Sequence, residues 1–111
     1  MGGEINCETM MEKRKPHYAL ASIKSAFSNP DTINRPVISK QGSDDLGMDD
    51  TDVLAVIQAM GPPDFDKSMT SFNDHRIWQD VYLPLVESRT IYVKFTLDAQ
   101  QEFLLISFKE A

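Results

Sequence analysis

Cysteine occurs once in these 111 residues, at Cys7. That excludes a disulfide within the chain and a cysteine-rich zinc site. Histidine is nearly as scarce, with only His17 and His75. Neither has a partner in sequence suited to a metal site, and no serine or cysteine makes His75 a triad base. No apolar run approaches the roughly 20 residues needed to span a bilayer. The opening residues also lack the charged-then-apolar layout of a signal peptide. Repeats and low-complexity segments are absent as well. These absences lead us to expect an intracellular, cytoplasmic protein that works without a bound metal or cofactor.

One further absence is local. Lys and Arg are missing from positions 44–66, where Asp44, Asp45, Asp49, Asp50, Asp52, Asp64 and Asp66 gather. The whole chain carries a net charge of −6, which argues against an indiscriminate nucleic-acid binder. Removing those seven acids from the 17 leaves 10 acids against 11 bases. A cationic working face is therefore compatible with the composition, provided the acidic stretch lies elsewhere. Hydrophobic residues at 41% and charged residues at 25% are ordinary for a globular domain. The length suits one domain with a real core.

Residues 1–10 show no periodicity and read as a flexible leader, with a single domain over 11–111. Lys13, Arg14 and Lys15 form a basic run that reads as solvated. A first helix is expected over 16–28, where Leu20, Ile23 and Phe27 recur at helical spacing and Asn29-Pro30 stops them. A short strand is expected over 32–39, with Pro36 confining it to a sheet edge. The stretch 40–50 reads as a polar loop. A second helix follows, capped by Asp50 or Thr51, with Val53, Leu54, Val56, Ile57 and Met60 as its stripe and Gly61-Pro62-Pro63 as its end.

Beyond Phe65 the period becomes two. Four antiparallel strands are expected at 66–71, 76–85, 90–97 and 102–109, joined as a meander with turns near Glu87-Ser88 and Ala99-Gln100. Two helices packed on an antiparallel sheet make an α+β fold. In the third strand Ile91, Val93, Phe95 and Leu97 belong to the core, which sends Tyr92 and Lys94 together to the open face. In the fourth, burial of Leu104, Ile106 and Phe108 leaves Lys109 on that face. Lys67 shares its face with Met69 and Ser71. Gln79 has the parity of Ile77, Val81 and Leu83. A regular strand turns it to the core unless a bulge or an irregular entry intervenes. Asp74-His75 reads as turn chemistry, and Trp78 and Tyr92 as packing anchors with polar tips. Amines, an amide and a phenol spread over several strands are groups suited to holding and polarising a phosphodiester.

The segments "MEKRKPH", "DDLGMD", "DFDKSMTSFNDHRIWQDVY", "IYVKF" and "ISFKEA" resemble the motility quorum-sensing regulator (MqsR) toxin family. The resemblance runs from about Met11 to Ala111. It implies a RelE-like fold and a sequence-selective endoribonuclease, an mRNA interferase that cuts at GCU-type sites. It also implies an antitoxin partner of the MqsA type, with a zinc-binding domain that engages the toxin and a helix-turn-helix for DNA. Matched by motif, the catalytic residues fall on Lys67, Gln79, Tyr92 and Lys109. Lys94, which alternation places on the face of Tyr92, is a further candidate phosphate contact. Lys67 and Lys109 then stabilise charge, Tyr92 orients or protonates, and Gln79 holds a phosphate oxygen or the 2′-hydroxyl. Asp66, directly beside Lys67, favours a charge-stabilising role there. The alternative is a RelE-like fold that keeps antitoxin binding and has lost cleavage.

Overall fold

The computed structural model describes residues 11–111; the leader expected at 1–10 lies outside the described residues. Its sheet has six strands: β1 (Glu12–Lys13), β2 (Phe65–Thr70), β3 (Trp78–Tyr82), β4 (Leu85–Val86), β5 (Arg89–Leu97) and β6 (Phe103–Glu110). All pairings are antiparallel: β1, β2, β3 and β5 lie in that order, β6 pairs with β5, and the short β4 pairs with the start of β5. The meander of 65–110 follows the period-two reading, with the second expected strand divided into β3 and β4. Glu87 and Ser88 turn the β4–β5 hairpin at φ 51° and 74°. Such left-handed values suit a tight two-residue hairpin turn. The basic run at 13–15 is not wholly a solvated flank: Glu12 and Lys13 form β1 against Met69 and Ser68.

Three α-helices stand among the described residues: α1 (Leu20–Ala26), α2 (Val37–Asp45) and α3 (Asp50–Ala59). The first is shorter than expected, and α3 agrees closely. Its cap is Asp49 rather than Asp50 or Thr51. The Asp52 amide donates to Asp49 Oδ1 at 2.9 Å and the Asp49 amide to Asp52 Oδ2 at 3.1 Å. This reciprocal box satisfies two otherwise orphan donors. Ile23 and Phe27 from the α1 end join Val53, Leu54, Val56, Ile57 and Met60 over Tyr82, Ile91, Val93, Phe95, Leu105 and Phe108. Each large apolar side chain buried here is worth about 1.5–3 kcal/mol. Gln58 of α3 donates to the carbonyls of Lys24 (2.7 Å) and Phe27 (2.9 Å), closing the end of α1.

The strand expected over 32–39 and the loop over 40–50 are corrected. Residues 30–32 form a 3₁₀ turn, and α2 occupies 37–45. Helix α2 has no large apolar core stripe. Its inward positions are Ser39 and Ser43, both buried, and Gly42, whose missing side chain lets the helix rest on the Phe108 carbonyl. Val37 and Ile38, two of the three apolar residues (with Ile33) behind the expected strand, are exposed. Just before α2, the Asn34 carbonyl accepts from the Leu105 amide (2.9 Å) and its side chain donates to the Phe103 carbonyl (3.0 Å). Residues 34–45 thus cover the outer edge of β6, which would otherwise expose unpaired backbone groups. No helix among the described residues is long and apolar enough to cross a membrane.

Candidate active site

Residues directly opposite in an antiparallel pair present their side chains on the same face. The register therefore builds the open face in rows. Lys67, Val81, Lys94 and Ser107 make one row. Glu12, Met69 and Gln79 make a second, and Tyr92 with Lys109 a third. All five residues singled out in the sequence, Lys67, Gln79, Tyr92, Lys94 and Lys109, lie on this face.

Two bulges make that possible. In β2, Phe65 opposes Tyr82 and Lys67 opposes Val81, so Asp66 is the extra residue. Phe65 can then pack on Tyr82 in the core while Lys67, two positions on, points to the open face. In β6, Phe95 opposes Leu105 and Lys94 opposes Ser107, so Ile106 is the extra residue. The expected alternation of Leu104, Ile106 and Phe108 is corrected: Leu105 and Phe108 are the fully buried pair. The bulge keeps Phe108 in the core and Lys109 on the face despite that shift.

Gln79 needs no bulge in its own strand. The core-facing residues of β3 are Asp80 and Tyr82, not Gln79 and Val81. Val81 is fully buried on the open face, between Lys67 and Lys94, and Met69 lies beside it at 9% exposure. They give the lysines an apolar floor. Over that floor, burial lowers the pKa of Lys94, and Lys109 and Lys67 lower it further. Burial raises the Tyr92 phenol; Lys67 opposes the shift and Asp66 adds to it. The ammonium groups of Lys109 and Lys94 stand 5.5 and 5.7 Å from the centre of the Tyr92 ring, within cation–π range. Three amines thus share the electric field of one small patch.

Glu12 is a charged residue of this face that sequence reasoning missed. Its carboxylate lies 3.4 Å from the Lys67 ammonium, brought there by the two-residue β1. A strand that short has no periodicity to read, so the residue was hidden inside a basic run.

The opposite face holds this edge in place. Buried Asp80 accepts from the Ser68 hydroxyl (2.6 Å), the Tyr18 amide (2.9 Å) and the His17 amide (3.0 Å). His17 stacks on Trp78 at 5.2 Å, and Lys13 sits 4.3 Å from that ring. His17, with its Nδ1 2.9 Å from the Lys13 ammonium, is thus anchored on the face opposite Lys67, Lys94 and Lys109. At the β2–β3 hairpin, the Asp74 carboxylate accepts from the Arg76 amide and guanidinium, as turn chemistry requires. The guanidinium holds that carboxyl down at about 2.

Residues 15–110 match the family described as motility quorum-sensing regulator, toxin of MqsA. The chain is also 38% identical over 100 residues to the mRNA interferase toxin MqsR of Escherichia coli (strain K12), covering 90% of this chain and 99% of that protein.

Proposed function

Because the chain belongs to the motility quorum-sensing regulator toxin family, and because its amines, phenol and amide share one face, we propose that it is an endoribonuclease acting on messenger RNA. It is the toxin of a toxin–antitoxin pair, with a RelE-like fold, a cytoplasmic site of action and a protein antitoxin of the MqsA type as its partner. The observation that carries this reading is the row of Lys67 and Lys94 over buried Val81, flanked by Tyr92, Lys109 and Gln79.

The chemistry needs no metal. The ribose 2′-oxygen forms a bond to the adjacent phosphorus as the bond from phosphorus to the 5′-oxygen breaks. The products are a 2′,3′-cyclic phosphate and a 5′-hydroxyl. Lys67 and Lys109 stabilise charge on the phosphorane-like transition state, a preorganised electrostatic role. Gln79 holds a phosphate oxygen or the 2′-hydroxyl, and Tyr92 orients the group between the lysines. Lys94 is the amine whose pKa burial and neighbours depress. It gives up a proton more readily than an ordinary lysine and suits the leaving 5′-oxygen. Glu12 holds Lys67 and supplies a carboxylate able to take the 2′-hydroxyl proton. DNA, lacking that hydroxyl, is not a substrate. Cutting falls at GCU-type sites.

The test is cleavage of a GCU-containing transcript by purified protein. Lys67→Ala and Tyr92→Phe are each expected to slow it by about 100-fold or more. A transcript with 2′-deoxyribose at the cut should resist. Undiminished cutting by both variants would remove these residues from the chemistry. A wild-type protein that cuts no RNA yet binds the antitoxin would favour the non-catalytic alternative.

A further inference from the structure

A groove of about 230 Å³ runs between α2 and β6, lined on the helix by Ile38, Gln41 and Asp45 and on the strand by Ile106, Ser107 and Lys109. We propose that this groove seats the nucleobase next to the cleaved phosphate and that Asp45 reads that base's hydrogen-bond donor edge. The inference rests on the ribonuclease reading above and assigns the subsite that sets sequence preference.

Position is the first argument. Lys109 and Ser107 belong both to the groove and to the rows that carry Tyr92 and Lys94. A phosphate held by the lysines therefore has this groove as its flank. The volume lies below the roughly 300–1,000 Å³ typical of drug-sized ligands, so the groove takes one planar ring system. Ile38 and Ile106 offer its apolar walls. Single-stranded RNA is read through splayed bases packed on side chains and hydrogen-bonded at their edges.

Asp45 itself is the second argument. Most of the clustered acids have a visible structural task. Asp44 pairs with Lys40, Asp50 with Arg35, Asp49 and Asp52 cap α3, and Asp64 accepts from the Gly61 amide. Asp66 forms the β2 bulge. Asp45 is exposed and pairs with no cation among the described residues. It also ends α2, where the helix dipole disfavours a negative charge. An ionised carboxylate only accepts hydrogen bonds. Guanine offers it two adjacent donors, a ring N–H and an amino group, while cytosine and adenine offer one amino group each. Uracil sets a single N–H between two carbonyl oxygens, which the carboxylate repels. Gln41, one turn earlier on the same helix face, can both donate and accept at the remaining edge.

Cleavage of an RNA pool randomised around the cut, read by sequencing the new 5′ ends, tests this with wild type, Asp45→Asn and Ile38→Ser. Both positions are exposed, so neither variant removes core packing. Asp45→Asn is expected to keep cutting while losing about ten-fold or more of the preference at one flanking position. Ile38→Ser should raise KM and leave kcat near wild type. Unchanged base preference in Asp45→Asn, or an equal loss on every sequence, would overturn the groove assignment and leave the ribonuclease reading standing. A wild-type protein that cuts nothing would overturn both.

Discussion

Tyr82 carries a phenol into the core at 1% exposure, and its hydroxyl finds no hydrogen-bond partner among the described residues. An unpaired buried hydroxyl costs about 1–3 kcal/mol, so Tyr82→Phe should stabilise the protein by about 1 kcal/mol in thermal or urea unfolding. A clear loss of stability would show that the hydroxyl has a partner. The same burial, helped by Asp80, pushes the Tyr82 phenol up to about 12 from its ordinary 10.0. Below pH 10 the phenol is neutral in both folded and unfolded chains, and its contribution is fully present. Between pH 10 and about 12 the unfolded chain releases the proton first, so stability falls as pH rises through that window. Tyr82→Phe should flatten this part of the alkaline profile. A slope left unchanged by the substitution would assign the alkaline loss to other groups.

Helix α2 docks through an absence of side chain, and Gly42 is where this is most acute. A Cβ there would overlap the Phe108 carbonyl oxygen and lie 3.2 Å from the Lys109 Cβ. Gly42→Ala must push α2 off β6, at a cost of about 1–3 kcal/mol by overpacking. Lower thermal stability and slower RNA cleavage should appear together, because the shifted contact borders Lys109; Val37→Ala, at an exposed position of α2 outside the groove, is the control for helix propensity. A fully stable, fully active Gly42→Ala would refute the close docking. The same contact explains what could be read in the sequence. Helix α3 was legible because its stripe is large and apolar, and β5 because Ile91, Val93 and Phe95 alternate cleanly. Helix α2 was not, because Ser39, Gly42 and Ser43 bury nothing hydrophobic while Val37 and Ile38 mimic a strand. At the site, the faces of Tyr92 and Lys94 followed from alternation alone. Gln79 was obscured because Val81, apolar and of the same parity, is buried on the working face rather than in the core. The bulges at Asp66 and Ile106 leave no sequence period to follow, and Glu12 depends on a pairing 57 residues distant, with Met69.

At the scale of the molecule, a net charge of −6 coexists with a working face of three amines. Four acids of the 44–66 cluster are engaged away from that face, Asp49 and Asp52 in the α3 cap, Asp50 with Arg35 at 2.7 Å and Asp64 at the Gly61 turn, while Glu12 pairs with Lys67 on it. On the proposed ribonuclease reading, long-range attraction of RNA is therefore weak, and the field at the phosphate is set by Lys67, Lys94 and Lys109 over an apolar floor. This separates the protein from binders that coat themselves with basic charge. If three phosphate contacts supply the electrostatic part of binding, log of affinity for a short single strand should fall against log of salt with a slope near −2. Measuring Kd for a non-cleavable 2′-deoxy analogue across salt concentrations gives that slope directly. Lys67→Ala should make it shallower by about 0.7, the share of one contact. A slope steeper than about −4 would reveal a wider basic path than this face provides. A slope near zero would mean that the lysines do not hold phosphate at all, and the proposed chemistry would lose its electrostatic basis.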